Sequence, residues 1–212
     1  MVIDYNEKRE NLVKLLEKKG IYDRYVLEAI GKVKRHLFIP DKIRENSYED
    51  NALPILKDQT ISQPYTIAFM LQELELNKGE KVLEIGAGSG YNAALISLIV
   101  KPGKVYSVEI DEDLVKYSIK NLKNYKNVKV VHADGSKGYT KAAPYDKVII
   151  TAACPTIPEE IIKQVKSEGV IIAPVGDRFT QEMIKCRKEG ESLICEKLGR
   201  FSFVSLRGEF GF

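Results

Sequence analysis

The chain has 212 residues, 33 of them basic and 30 acidic, for a net charge of +3. That near-balance carries no footprint for nucleic acid or an anionic membrane, which argues against both as partners, and a hydrophobic share of 44% argues against a disordered chain. The opening MVIDYNEKRENL lacks the apolar stretch of a secretory signal, and AALISLIV (93–100) is too short to span a bilayer. A single cytoplasmic domain over residues 1–212 is expected.

Residues 7–19 have the spacing of an amphipathic helix, with Leu12, Leu15 and Leu16 on one face and Gly20 as its stop. Residues 23–32 predict a second helix capped by Asp23, and VKRHLFIP (33–40) ends at a proline. Residues 41–59 read as irregular apart from the apolar LPIL. TISQP (60–64) then precedes a helical run containing Ile67, Phe69, Met70, Leu71 and Leu74. Pro64 suits a first helical position, and on local chemistry Ser62 is an ordinary N-cap.

From residue 80 the period changes. KVLEIG (81–86), KVYSVEI (104–110), VKVVHA (128–133), YDKVIITA (145–152) and GVIIAPV (169–175) read as strands. Between them lie helices over about 91–100, 111–125 with Asp111 as cap, and 158–166 opened by a proline. Alternation of this kind predicts a parallel sheet covered on both faces. EMIKCRK (182–188), SLICEKL (192–198) and FSFVSL (201–206) follow with no room for helices, which predicts an antiparallel edge. Cys154, Cys186 and Cys195 form no CxxC pair, so neither a zinc site nor a dithiol redox motif is indicated. They are expected to remain thiols, although Cys186 and Cys195 could bridge neighbouring strands.

Three motifs fall at the carboxyl ends of successive strands, where open α/β sheets bind ligands. VLEIGAGSGY (82–91) supplies the glycine turn, with Tyr91 standing where a dinucleotide fingerprint wants its last glycine, so a nicotinamide cofactor is disfavoured. Glu84 lies two residues before the first glycine. Glu109 closes the second strand, where a carboxylate can accept from a ribose diol. Asp134 and Gly135, in HADGSKGY (132–139), close the third, where a carboxylate can accept from an adenine amino group. His36 reads as structural and His132 as a strand residue.

This set resembles the pattern of the Rossmann-like S-adenosylmethionine-dependent methyltransferases. With VKRHLFIP, SYEDNALPI, QTISQPYTIAFM, APYDKVIITAA and IIAPVGDRFTQ, the chain looks like the protein-L-isoaspartate O-methyltransferases from about residue 25 to residue 206. The resemblance implies an α/β fold with a mostly parallel seven-stranded sheet, helices on both faces and an antiparallel edge. It divides the chain into N-terminal helices and a substrate lid (1–79), a cofactor-binding core (80–181) and C-terminal strands (182–212). It implies a methyl transfer from S-adenosyl-L-methionine, leaving S-adenosyl-L-homocysteine, to the free α-carboxylate of isoaspartyl residues in damaged proteins. The methyl ester then closes to a succinimide that reopens to aspartyl.

Carried onto this sequence, the resemblance implies cofactor contacts from Gly86, Ala87, Gly88, Ser89, Gly90, Glu109, Ile110, Asp134 and Gly135. It implies a substrate side at Thr60, Ile61, Ser62 and Gln63, with Ser62 as the active-site residue, no metal, and a monomer. The sequence departs from the family pattern at Glu168, where paired glycines are expected, and at Ser205, in a run that usually reads Phe-Val-Pro-Leu. A methyltransferase for RNA or a small molecule on the same fold, and a binding module that keeps a degenerate cofactor fold, are the competing readings. TISQP and YEDNALPI speak against the first, the intact glycines, Glu109 and Asp134 against the second.

Overall fold

The structure is a computed structural model that describes residues 3–212. Three helices open the chain: α1 (Tyr5–Lys18), α2 (Arg24–Lys32) and, after a two-residue ribbon of β1 (Leu53–Pro54) with β2 (Thr60–Ile61), α3 (Pro64–Glu73). Asp4 and Asp23 cap α1 and α2 by accepting the amides of the first turn. The α/β part follows as β3 (Lys81–Ile85), α4 (Tyr91–Val100), β4 (Lys104–Glu109), α5 (Glu112–Asn121), β5 (Val128–His132), β6 (Tyr145–Ile150), α6 (Glu159–Ile162) and β7 (Val165–Gly176). The last two strands are β8 (Gln181–Glu189) and β9 (Ser192–Phe201).

The seven strands β3–β9 form one sheet in the order β5-β4-β3-β6-β7-β8-β9, parallel as far as β7 and antiparallel over the last two. Because β3 is flanked by β4 on one side and β6 on the other, the strand order reverses at its carboxyl end. A crevice opens at such a point. Alternate residues of the buried strands feed two cores. Val82, Ile149, Val170 and Ile172 pack with α1–α4, and Leu83, Ile85, Val148, Ile150 and Ile171 pack on the opposite face with Ile161 and Leu206. Near-continuous apolar strands are what burial on both faces requires. Among the described residues no helix is long and apolar enough to cross a membrane.

Four expectations need correction. The helix expected over 158–166 shrinks to Glu159–Ile162, because β7 starts early: Val165 pairs with Tyr145, and a register shift follows before Val170 pairs with Lys147. Glu168 absorbs that irregularity at φ +64°, a left-handed backbone that glycine adopts without strain. FSFVSL forms no third hairpin strand: Phe201 ends β9, and the rest runs extended with a single bridge from Ser205 to Ala153. Cys186 and Cys195 face each other across β8 and β9 and are joined by a disulfide, while Cys154 is a buried free thiol. The fourth concerns Ser62. Gln63 takes the N-cap position of α3 without a side-chain bond, and the free amide of Tyr65 is taken instead by Asp50 Oδ1 at 2.8 Å.

Candidate active site

A cavity lies at the carboxyl edge of β3, β4 and β6. It is lined by Thr60, Ile61 and Ser62, by Gly86, Ala87, Gly88 and Ser89, and by Tyr91 and Asn92. Glu109, Ile110, Gly135, Thr151, Ala152 and Phe203–Arg207 also line it. Gln63, Gly90 and Asp134 are not on the wall.

The glycine turn is shaped by what surrounds it. Gly86 has φ +95°, and a Cβ there would stand 2.5 Å from Thr151 Oγ1, which donates to the carbonyls of Ile85 and Gly86. A Cβ on Gly135 would meet Ile85 Cγ2 at 2.7 Å. Only glycine lets the backbone come this close at both places.

Three carboxylates serve this end of the cavity. Glu109 Oε2 accepts the amide of Gly88 at 3.0 Å, and its Oε1 accepts those of Ile110 and Asp111. Four lone-pair sites minus three bonds leave it able to accept once more from a ligand. Glu84 is fully buried, bonded by Asn92 Nδ2 at 2.8 Å and by the hydroxyl of Ser107. Burial, with repulsion from Glu109 as a lesser cause, raises its carboxyl to about 7 against the pull of those two bonds. The Asn92 Oδ1 atom is buried and has no partner. Asp134 stands back from the wall. Its Oδ1 accepts from the amide and hydroxyl of Ser136, and its Oδ2 accepts the amide of Glu209 at 2.9 Å, tying the last residues to this end.

The Thr60–Ser62 stretch is held from the N-terminal third. Arg35 is fully buried and donates from Nε to the Ser47 carbonyl at 2.8 Å and from Nη2 to the Ser62 carbonyl at 2.9 Å. His36 stacks on Tyr5 and pairs Nδ1 with the Tyr48 hydroxyl at 2.8 Å, and burial lowers its pKa to about 4, so it is neutral at physiological pH and structural, as expected. His132 lies on β5 beside the carbonyl of Ile110, off the cavity wall.

The sequence did not single out Arg35, Asn92, Thr151 or residues 203–207 as site residues. Nothing in a lone arginine or asparagine marks it locally. Their roles come from segments that meet only in three dimensions. Among the described residues no group of three or more His, Cys, Asp or Glu could hold a metal ion.

A model of the protein-L-isoaspartate(D-aspartate) O-methyltransferase family matches residues 7–210. The protein-L-isoaspartate O-methyltransferase 2 of Archaeoglobus fulgidus is 46% identical over 99% of this chain and 97% of its own. That of Dictyoglomus thermophilum is 42% identical over 98% and 94%. A solved protein-L-isoaspartate O-methyltransferase superposes with a TM-score of 0.88 at 30% identity, covering 96% of this chain and 67% of its own. A Plasmodium falciparum protein assigned to the same activity, solved with S-adenosyl-L-homocysteine, shares the fold with a TM-score of 0.82 at 24% identity over 94% of this chain and 98% of its own.

Proposed function

This chain belongs to the protein-L-isoaspartate(D-aspartate) O-methyltransferase family, and from that premise we propose how its cavity does the work of an S-adenosylmethionine-dependent repair enzyme. It methylates the free α-carboxylate of L-isoaspartyl residues in damaged proteins and peptides, and the ester then closes to a succinimide that reopens to aspartyl. The observation that carries this reading is the convergence of Thr60–Ser62 and the glycine turn, far apart in the chain, on one cavity.

The residues present fit the methyl donor. Gly88, where a Cβ would meet only Ile55 Cδ1 at 3.8 Å, leaves the cavity side of the turn open, Glu109 keeps an acceptor site free for a ribose diol, and the unpartnered Asn92 Oδ1 beside Glu84 suits an ammonium. Asp134 holds the turn that presents Gly135; three bonds leave its Oδ2 one lone-pair site for an adenine amino group, although the side chain itself is not on the wall. Bound S-adenosylmethionine supplies an electrophilic methyl on a cationic sulfur. The chain's own task is alignment. The nucleophile is already an anion at neutral pH, so no general base is needed. Ser62 orients the carboxylate for collinear attack, and Ile61 and Tyr91, both buried on the wall, exclude water where opposite charges cancel. Every residue given a role here lies on one chain, which supports action as a monomer.

Calorimetry tests the cofactor half. Glu109→Ala loses a charge-assisted acceptor and is expected to weaken S-adenosylmethionine binding about ten- to a hundred-fold, from roughly 1.5–3 kcal/mol. Unchanged affinity in a folded variant rejects the ribose assignment.

A further inference from the structure

We propose that Arg35 is a positioning residue for the methyl transfer: its guanidinium fixes Ser62 against the cofactor half of the site. The inference rests on the role given to Ser62 above.

Arg35 follows α2 and stands outside the cavity wall. Its planar fork nevertheless joins three segments that are remote in sequence. One arm holds the carbonyl of Ser47, the other the carbonyl of Ser62, and the guanidinium carbon lies 4.9 Å from the ring centroid of Tyr91. Ser62 and Tyr91 both line the cavity, one beside the substrate stretch and the other at the first turn after the glycines. A single buried group thus sets the distance between the two reacting halves.

A packing role does not account for this residue. Arg35 is 0% exposed, its Nη1 is buried without a partner, and among the described residues no carboxylate makes an ion pair with it. Asp50, Tyr48 and Tyr91 favour its charge only from outside ion-pair range, so the buried cation remains expensive, and an apolar side chain of similar volume would fill the space at lower cost. Burial lowers its pKa only to about 10, so it stays charged at neutral pH. Two carbonyls on a rigid fork over an aromatic face is a geometry that guanidinium satisfies and an ammonium does not. The fixed carbonyl sets the orientation of the Ser62 peptide, and with it the direction of the hydroxyl.

A double-mutant cycle tests this, using Arg35→Lys, Ser62→Ala and the pair, with kcat and KM for an isoaspartyl peptide and calorimetric affinity for S-adenosylhomocysteine measured on the same samples. Arg35→Lys should lower kcat at least ten-fold while KM and the cofactor affinity stay within about three-fold. In the Ser62→Ala background the same change should cost less than three-fold more, because its effect passes through Ser62. A normal kcat in Arg35→Lys beside a slow Ser62→Ala overturns the role of Arg35 and leaves that of Ser62 standing. Multiplying losses overturn it too, by placing its action elsewhere. Wild-type turnover in Ser62→Ala removes the premise itself. Where Arg35→Lys fails to bind S-adenosylhomocysteine, Arg35→Gln, neutral but with two N–H donors, takes its place in the cycle; loss of binding in both assigns Arg35 to the fold and overturns the proposal.

Discussion

Glu84 shows how much one side chain depends on its surroundings. Its carboxyl titrates near 7 in the folded chain against 4.5 for an unburied one. The folded state therefore binds more protons across that window, and stability falls as pH rises from about 4.5 to 7, by at most ~3 kcal/mol. Glu84→Gln keeps an acceptor for Ser107, and its amide N–H meets Asn92 Oδ1 once the Asn92 amide, which donates Nδ2 to Glu84 in the parent, turns over. The variant should be more stable than the parent at pH 8 and show a flatter pH profile, read from denaturation midpoints at pH 5 and pH 8. An unchanged profile means that Glu84 is not the group responsible.

Ser62 belongs to the same scale. Since Asp50 and not Ser62 satisfies the first turn of α3, Ser62→Ala should leave the melting temperature nearly unchanged. Turnover should drop about ten- to a hundred-fold through loss of one positioned hydrogen bond. A lowered melting point with wild-type turnover would assign the hydroxyl to stability alone.

At the scale of elements, the sheet and its helices were legible because burial on both faces writes unbroken apolar strands such as Val148–Ile150 and Val170–Ala173. What escaped was set by pairing. The helix after Pro158 reads well locally, but Tyr145 recruits Val165 into the sheet and stops it. The cap of α3 comes from 15 positions upstream, out of reach of any local pattern. Likewise, the disulfide depends on β8 and β9 meeting in the register that sets Cys186 opposite Cys195. Closing a loop with a sequence separation of 9 restricts the unfolded chain by about 2.5 kcal/mol. Reductant should accordingly lower the melting temperature by roughly 5–10 °C for a chain of this size. A thiol titration finding three reactive groups in the unfolded, unreduced protein would contradict the pairing.

Over the whole molecule, the two halves of the site differ in legibility. The residues proposed for the cofactor, from Gly86 through Glu109 to Gly135, fall at the ends of three successive strands of the α/β part and so follow from local strand–turn–helix patterns. The residues proposed for the substrate, 60–63, are held by Arg35 and by the 47–50 segment, contacts that arise only on folding. The central claim is that these halves align one carboxylate with one methyl donor, and that claim concerns position. An isoaspartyl linkage moves the free carboxylate by one methylene relative to the main chain, and small misplacements cost heavily in rate. The direct measurement is labelled-methyl transfer to two synthetic peptides that differ only in isoaspartyl against aspartyl linkage, at matched concentrations. The account predicts strong transfer to the isoaspartyl peptide and little to the other, and equal turnover of the two would contradict it.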